Sequence, residues 1–382
     1  MTTTKPHIDW LIFFSALTLM LFSIAFVYSA GIFFATYKGM RPEGLLMSHF
    51  IKVVLAIFIM MLVSKIDYHN WSKISIWLMF ASLISLIIVL VAGKQVGGAE
   101  RWINLGFMTF QPSELAKFSM IIHFATLINR KGESIKELKY GYLPFMLWIA
   151  LFSALIALQP NFSMIIILFL IGMFMLYLGN ADLKHLLTTF GLTILVGGIY
   201  AISASYRLNR LLFYLGMLEG KEFEKLSYQV ENSLVAIGSG GIFGLGPGGS
   251  HQNLLLSEPY TDFILSIIGE EYGFIGLVSI IILFLIILWR GFYLAKRAPD
   301  RFGFLLVSGI IFSIFISFLI NAFVNTALIP TTGVPLPFIS YGGTSIFFSA
   351  ILIGILLNIS IQVSASKPIK KSEIKPKINY PI

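Results

Sequence analysis

Long apolar runs constrain the fold of this chain more than any other feature of its sequence. A helix needs about 20 apolar residues to cross the hydrocarbon core of a membrane. Backbone polar groups must be satisfied inside lipid, so each run of that length is predicted to be a helix. The sequence therefore predicts an all-α polytopic membrane protein with about ten transmembrane helices, at 10–34, 48–65, 73–93, 115–129, 142–159, 163–180, 183–204, 262–290, 303–329 and 344–363.

The scarcity of charged residues and the lack of cysteine exclude several other classes of protein. Only 12% of the 382 residues are charged, against about 25% in a typical soluble domain. The sequence contains no cysteine, which excludes disulfides, thiolate chemistry and Cys-ligated metal or haem. The histidines show no metal-ligand spacing, and no Walker loop, GxSxG motif or Rossmann fingerprint is present. No dedicated metal site is therefore expected.

Lys and Arg residues are unevenly distributed between the two sides of the predicted bundle. If the N-terminus is cytoplasmic, about two thirds of the 27 Lys and Arg residues lie in cytoplasmic segments. This bias predicts that both termini are cytoplasmic and that a large extracytoplasmic loop, 203–261, joins helices 7 and 8. The chain then forms one transmembrane domain, 1–365, and a basic cytoplasmic tail, 366–382. We expect the tail to bind anionic lipid rather than nucleic acid.

Three segments on the predicted external side break the helical pattern, at 94–114, 203–261 and 330–345. The second contains "AIGSGGIFGLGPGGS" at 236–250, and glycine at that density is predicted not to hold a helix. Irregular backbone at membrane depth is tolerated only where it is buried in protein or lines a cavity. The three segments together therefore predict a water-accessible cavity on the external side.

Three charged residues in or beside the first irregular segment are candidate site residues. Glu114 and Lys117 open the fourth predicted span and are three residues apart, so they share a helix face. They either neutralise each other as a salt bridge or face a bound substrate. Arg101 is predicted to lie in the preceding loop, as a solvated charge or a substrate contact.

Two arginines and one carboxylate flank the second irregular segment. Arg207 and Arg210 are three residues apart and suit a phosphate or pyrophosphate group, although interfacial snorkelling explains them equally well. Asp262 precedes an apolar run. It either caps that helix or places a carboxylate of raised basicity at the edge of the cavity.

Three further acids surround Asp262 in the sequence. Glu258 lies outside the predicted span, whereas Glu270 and Glu271 lie about 12 Å deeper than Asp262 along a helix. A lipid-facing carboxylate would be costly at that depth, so one or both must face the protein. We expect these acids to have structural or relay roles, with a basic partner for the buried pair.

Five motifs in this order resemble the SEDS family of bacterial cell-wall polymerases, which includes FtsW, RodA and SpoVE. The resemblance covers nearly the whole chain, and the ten-span topology agrees with it. The motifs are "GAERWINLGFMTFQPSELAKF" (98–118), "YRLNR" (206–210), "YQVENSLVAIGSGGIFGLGPGGSHQ" (228–252), "EPYTDFILSIIGEEYGFIG" (258–276) and "PTTGVPLPFISYGGTS" (330–345).

The resemblance implies a peptidoglycan glycosyltransferase that polymerises lipid II on the outer face of the bacterial plasma (inner) membrane. It implies that Asp262, in the T-D-F motif, is the essential acid. Arg101, Lys117, Arg207 and Arg210 are then candidates for holding the undecaprenyl pyrophosphate. A divalent cation, Mg or Mn, could share that task. Gln159–Asn161 departs from the family's Q-P-D pattern and lacks its acid.

The glycine-rich segment runs into T-D-F without a long insertion, which favours a division-type, FtsW-like member acting at the septum. A RodA-like elongation polymerase is the alternative within the family. A lipid II flippase and a non-catalytic division scaffold are alternatives of other classes. The resemblance also implies a class B penicillin-binding protein and small bitopic division proteins as partners, besides lipid II and its polymerised, undecaprenyl-pyrophosphate-linked glycan.

Overall fold

The computed structural model describes residues 6–365, except 38, 40, 97, 98, 105, 107, 160, 204, 215, 216, 218–220, 257 and 258. The predicted tail, 366–382, therefore lies outside the described residues. The helices in chain order are α1 (Trp10–Tyr37), α2 (Pro42–Val63), α3 (His69–Ala92), α4 (Pro112–Lys131), α5 (Leu143–Ala157), α6 (Phe162–Leu178), α7 (Leu183–Ile202), α8 (Ser205–Tyr214), α9 (Lys221–Ser239), α10 (Ile264–Lys296), α11 (Arg301–Asn325) and α12 (Ser345–Ala365).

The helices account for the predicted membrane spans. In the described part of the chain, eight helical segments are long and apolar enough to cross a membrane. The two remaining predicted runs correspond to α6, which is apolar but has only 17 residues, and to α4. Most residues of α4 are buried between other helices. Its position at the centre of the bundle, away from lipid, explains how it tolerates Glu114 and Lys117.

The segment 203–261 contains helices α8 and α9, which corrects the expectation that its backbone is irregular. The glycine-rich part, 236–250, leaves α9 after Ser239, so the prediction that it does not hold a helix is wrong only for its first four residues. Gly241, Gly244, Gly246 and Gly248 all have positive φ angles, a conformation that glycine adopts without steric cost.

The first irregular segment forms a small antiparallel sheet, which was not predicted, within the expected all-α fold. Its strands are β1 (Lys94–Val96), β2 (Ala99–Asn104) and β3 (Thr109–Phe110), in the order β1-β2-β3. In the β2–β3 turn, the N–H of Gly106, whose φ is 87°, donates to Asn104 Oδ1 at 2.9 Å. Asparagine and glycine favour such a turn because they form local hydrogen bonds and accept positive φ.

The two ends of the described chain lie together at one end of the bundle, which we call the terminal face. The backbone N–H of Asp9 donates to Ser360 Oγ at 2.9 Å, and that of His7 donates to Ser364 Oγ at 2.9 Å. The carboxylate of Asp9 also pairs with Arg290 at 2.6 Å. These contacts place both chain ends on one side. That this side is cytoplasmic remains a prediction.

Helix α10 is kinked at Gly273, whose φ of 64° and ψ of −160° are not helical. The kink disrupts the hydrogen bonding of the neighbouring turns, and the glycine-rich segment supplies the partners. Phe274 N–H donates to the Gly241 carbonyl at 2.9 Å. Leu245 N–H donates to the Glu270 carbonyl at 2.9 Å. A Cβ at Gly244 would collide with the Glu271 carbonyl, so this close backbone contact requires glycine.

Candidate active site

The segment Tyr260–Asp262 approaches α10 with each of its three carbonyl oxygens bound. The backbone N–H of Tyr341 donates to the Tyr260 carbonyl at 2.9 Å. Ser340 Oγ donates to the Thr261 carbonyl at 2.6 Å. The Asp262 carbonyl accepts from two side chains of α11. Three consecutive anchored carbonyls hold the backbone that carries the Asp262 side chain in one position.

Two buried asparagines on α11 provide the contacts to Asp262. Nδ2 of Asn321 and Nδ2 of Asn325 lie 3.0 and 2.9 Å from the Asp262 carbonyl oxygen. Asn325 Oδ1 accepts from the N–H and the hydroxyl of Ser266, and Asn321 also donates to the Val334 carbonyl at 2.9 Å. Our sequence analysis missed both residues. Two amides four residues apart in an apolar span are a signal that could have revealed them.

Asp262 does not occupy the capping position of α10. The N-cap is Phe263, which makes no side-chain capping bond, and the helix begins at Ile264. The Ser266 N–H in the first turn donates to Asn325 Oδ1 and to the Phe263 carbonyl. Asp262 therefore lies one residue before the N-cap position, and its side chain is partly buried.

The side chains of Arg101 and Asp262 meet beside Gly333. A Cβ atom placed on Gly333 would lie 3.4 Å from Arg101 Nη1 and 3.7 Å from Asp262 Oδ2. The guanidinium and the carboxylate therefore both approach Gly333, which brings Arg101 near Asp262. Arg101 lies on β2 rather than in the expected loop.

The strand that carries Arg101 is tied to the same irregular segment, 330–345. Strand β2 pairs with β3, matching Ile103 with Phe110. The N–H of Gln111, which follows β3, donates to Thr344 Oγ1 at 3.1 Å. A Cβ on Gly343 would collide with the Thr109 carbonyl. Segments that are far apart in the sequence are thereby joined around Arg101 and Asp262, as the predicted cavity requires.

Glu114 and Lys117 form an ion pair in a second, adjoining cleft. Lys117 Nζ lies 2.8 Å from Glu114 Oε2 and 3.1 Å from Oε1, so the predicted pairing is confirmed. Both residues are buried. The remaining lining of this narrow cleft consists of Ser313, Ile314, Ser317, Val334, Pro335, Pro337, Ser345, Phe348, Ser349 and Leu352.

Residues of the segment 330–345 line this cleft, and the same segment holds Thr261 and approaches Arg101 and Asp262. The cleft is therefore structurally connected to the Arg101–Asp262 pair. Its polar wall comes from serines of α11 and α12, and its apolar wall from Ile314, Val334, Phe348 and Leu352. A polar slot of this kind suits a substrate that has both a polar head and a lipid chain.

Three further candidate residues, Arg207, Arg210 and Glu258, have side chains that the structure does not describe. Arg207 and Arg210 lie on the backbone of α8, separate from α7, whose end they were expected to form. Their side chains lie outside the described part of the chain, and so does Glu258. The predicted phosphate grip by these arginines therefore remains a prediction.

Glu270 and Glu271 are fully buried and bind hydroxyl and amide donors. Glu270 accepts from Ser250 Oγ at 2.5 Å and from the N–H of His251 at 2.9 Å. Glu271 accepts from Ser29 Oγ at 2.5 Å. No ion pair in the described part of the chain involves either acid, so the expected basic partner is wrong. The Glu270 contacts fasten the end of the glycine-rich segment to α10 near its kink, and the Glu271 contact ties the same part of α10 to α1.

A divalent cation held by the protein does not fit the residues of this region. Within the described residues, no group of three or more His, Cys, Asp or Glu side chains is placed to hold a metal ion. Mg²⁺ in proteins is commonly held by carboxylates together with substrate phosphates. The Arg101–Asp262 pair offers one carboxylate, so we derive no chemical step through a metal.

Comparisons with known proteins agree with this architecture. A family model for FtsW, RodA and SpoVE, described as cell cycle protein, matches residues 9–365. Stage V sporulation protein E of Bacillus subtilis is 35% identical over 365 residues, covering 94% of this chain and 99% of the relative. A probable peptidoglycan glycosyltransferase FtsW of Geobacter sp. (strain M18) is 33% identical over 359 residues, covering 93% and 97%.

Solved structures share the fold. A chain from a peptidoglycan synthase complex, described as coordinating polymerization and crosslinking, has a TM-score of 0.76 at 25% identity, covering 93% of this chain and 98% of that one. The rod shape determining protein RodA of Thermus thermophilus has a TM-score of 0.65 at 25% identity, covering 92% and 96%. Since the family model spans almost the entire bundle, this chain is a multi-pass membrane protein of the FtsW/RodA/SpoVE family.

Proposed function

We propose that this protein is a peptidoglycan glycosyltransferase that polymerises lipid II, with Asp262 as its general base. One observation carries the proposal. The Asp262 carboxylate and the Arg101 guanidinium both approach Gly333, and the backbone of Asp262 is anchored at three consecutive carbonyls. Relatives named as probable peptidoglycan glycosyltransferases support this assignment.

Asp262 acts on the acceptor sugar. Its carboxylate takes the proton of the attacking hydroxyl as that oxygen forms a bond to the anomeric carbon of the donor. The bond from that carbon to the pyrophosphate oxygen breaks, and undecaprenyl pyrophosphate leaves with the electron pair. A positioned base contributes about 10²- to 10⁴-fold to such a reaction. The anchored backbone of Tyr260–Asp262 provides the positioning.

Arg101 offsets the negative charge that develops on the leaving pyrophosphate. A guanidinium presents paired N–H donors that match phosphate oxygens, and a positioned cation stabilises the transition state more than the ground state. Lys117 is neutralised by Glu114. The pair therefore contributes a polar anchor in the adjoining cleft, where a lipid-linked sugar is held. Arg207 and Arg210 are further pyrophosphate ligands in this proposal.

The biological role is division-type synthesis at the septum of the bacterial inner membrane. Curated relatives named FtsW and a sporulation protein support this choice. Since the fold is also shared with RodA, a RodA-like polymerase that acts in cell elongation is the alternative. A neighbour from a synthase complex that polymerises and crosslinks supports a class B penicillin-binding protein as partner. Small bitopic division proteins are further proposed partners. A divalent cation, if one takes part, is carried by the pyrophosphate of the substrate.

Polymerisation of purified lipid II in detergent tests the proposal. The purified protein, with and without a class B transpeptidase, should produce glycan strands. Translocation plays no part in detergent, so a flippase or a scaffold would leave lipid II unpolymerised. Failure under both conditions would contradict the assigned activity.

A further inference from the structure

Lys52 is a buried lysine in the middle of a membrane helix that the proposed chemistry does not use. It lies near the midpoint of α2 and is only 8% exposed. No carboxylate among the described residues forms an ion pair with it. An ionisable residue at that depth is costly and commonly marks a functional contact.

The ammonium group of Lys52 binds the ring of Tyr341. Its Nζ lies 4.0 Å from the ring centroid, within the range of a cation–π contact. The neighbouring Ser48 Oγ lies 3.3 Å from the Tyr341 hydroxyl, and the ring of buried His49 lies 5.6 Å from that of Tyr341. Helix α2 thus presents three polar side chains, from Ser48, His49 and Lys52, to a single tyrosine.

Tyr341 connects this cluster to the candidate active site. Its backbone N–H donates to the Tyr260 carbonyl at 2.9 Å, and the two tyrosine rings pack edge to face with centroids 5.6 Å apart. The preceding residue, Ser340, binds the Thr261 carbonyl. Two of the three anchored carbonyls therefore depend on the position of Tyr341 and its neighbour, and Asp262 follows directly.

We propose that Lys52 is a positioning residue for glycosyl transfer that acts through Tyr341. Its charge fixes the Tyr341 ring, and Tyr341 with Ser340 fixes Tyr260 and Thr261. The carboxylate of Asp262 is thereby held within reach of the acceptor hydroxyl. This inference rests on the proposed function, and it explains why a membrane helix retains a buried cation where an apolar residue would be less costly to insert.

Lys52→Met is the first test, because methionine has a similar length and removes only the polar head. Removal of a buried charge from a membrane span should leave the melting temperature unchanged or raised. We expect kcat for lipid II polymerisation to fall about 10- to 100-fold, because small displacements of a catalytic group have effects of that size. KM for lipid II should stay within about twofold.

Conservative and paired variants complete the test. Lys52→Arg should recover part of kcat, because a guanidinium also binds aromatic faces. Tyr341→Leu should reduce kcat as Lys52→Met does, and the double variant should be no slower than Tyr341→Leu alone. The matched control is Lys73→Met, since Lys73 is an exposed lysine bound to Asn70 at 2.8 Å. It should behave as wild type.

Thiol labelling separates failure of this inference from failure of the proposed function. The chain has no cysteine, so Asp262→Cys gives a single reactive thiol at the site. Adding Lys52→Met should raise its labelling rate, whether or not the protein polymerises lipid II. An unchanged rate would overturn the inference. A higher KM with unchanged kcat in Lys52→Met would also overturn it, and so would effects of Lys52→Met and Tyr341→Leu that multiply in the double variant. If Lys52→Met unfolds, full activity of both Lys52→Arg and Tyr341→Leu would overturn the inference instead.

Discussion

Asn325 donates a 2.9 Å hydrogen bond from its Nδ2 to the carbonyl oxygen of Asp262. The same amide accepts from the N–H of Ser266 at 3.0 Å, so one buried side chain joins the end of α11 to the first turn of α10. The position of the Asp262 carboxylate therefore depends on a helix that supplies no charged residue to the site.

Asn325→Leu should reduce both stability and activity. It removes one of two acceptors of the Ser266 N–H, which also donates to the Phe263 carbonyl at 3.0 Å, and one of two donors to the Asp262 carbonyl. Each hydrogen bond lost costs about 0.5 to 1.5 kcal/mol in unfolding free energy. We expect kcat to fall by up to about 100-fold, because a shift of Asp262 by about 1 Å has that effect. Thermal unfolding and lipid II polymerisation by the purified variant measure the two losses.

Asn358→Leu is the matched control for this prediction. Asn358 is also buried. It accepts from the Tyr68 N–H at 3.0 Å and donates to the Ser64 carbonyl at 2.9 Å, at the terminal face. It should lose comparable stability and retain kcat per folded molecule. Equal loss of kcat in both variants would mean that Asn325 acts through general stability alone.

Asp262→Asn should abolish most polymerisation while leaving the fold intact. The substitution keeps the backbone carbonyl of Asp262 and its two hydrogen bonds from Asn321 and Asn325, and removes the proton acceptor. We expect kcat to fall about 10²- to 10⁴-fold, with an unchanged melting temperature. Arg101→Lys should retain more activity than Arg101→Ala, because lysine keeps the charge but not the paired donors.

Asp182→Asn provides the same chemical change away from the site. Asp182 caps α7 through a 2.9 Å bond from the Lys184 N–H to Oδ1, and asparagine caps as well as aspartate. Wild-type polymerisation is expected for this control. Wild-type polymerisation by Asp262→Asn itself would remove Asp262 from the chemistry.

The spans and one ion pair were predictable from sequence because both depend on local pattern. Hydropathy identifies α4 and α6 as well as the longer helices, since lipid and protein interiors both favour apolar residues. The three-residue spacing of Glu114 and Lys117 places them on one helix face, where they pair at 2.8 Å.

Contacts between distant parts of the chain were not predictable in this way. The partners of the α10 kink lie about 30 residues upstream, and those of the Asp262 carbonyl lie about 60 residues downstream. Local pattern places Arg101 in a loop, because the pairing that makes β2 a strand depends on Phe110 and Thr109. The meeting of Arg101 and Asp262 follows from the tertiary fold alone.

Acidification should weaken a hydrogen-bonded cluster at the terminal face. Burial raises the pKa of Asp300, but hydrogen bonds from the Gly303 N–H, His69 and Tyr68 outweigh it, so the pKa lies below its ordinary value. Because the pKa of Asp300 is lower in the folded protein than its value of about 3.9 in the unfolded chain, the ionised carboxylate stabilises the fold at pH values above about 3.9. This stabilisation is lost as the pH falls through the pKa of Asp300 in the folded protein. The melting temperature should therefore drop steeply below about pH 4.

Asp300→Asn should be less stable than wild type at pH 7 and should lose less stability between pH 5 and 3. Asparagine keeps the cap on Gly303 N–H, which Asp300 Oδ1 accepts at 2.6 Å, so the difference reports the lost charge beside His69. Glu133→Gln is the control. It removes an exposed carboxylate paired with Lys136, and exposed pairs contribute little. Identical pH profiles for wild type and Asp300→Asn would contradict the prediction.

Substitution of Gly333 should obstruct the space between Arg101 and Asp262 without unfolding the protein. A Cβ there would already lie 3.4 Å from Arg101 Nη1, and a leucine side chain would extend further between the guanidinium and the carboxylate. Polymerisation should fall modestly in Gly333→Ala and by about 100-fold in Gly333→Leu, because misplaced reacting groups cost about that much. Gly191→Leu is the control, since a Cβ at that position on α7 meets open space. If Gly333→Leu polymerises lipid II at the wild-type rate, the acceptor does not react in the space between Arg101 and Asp262.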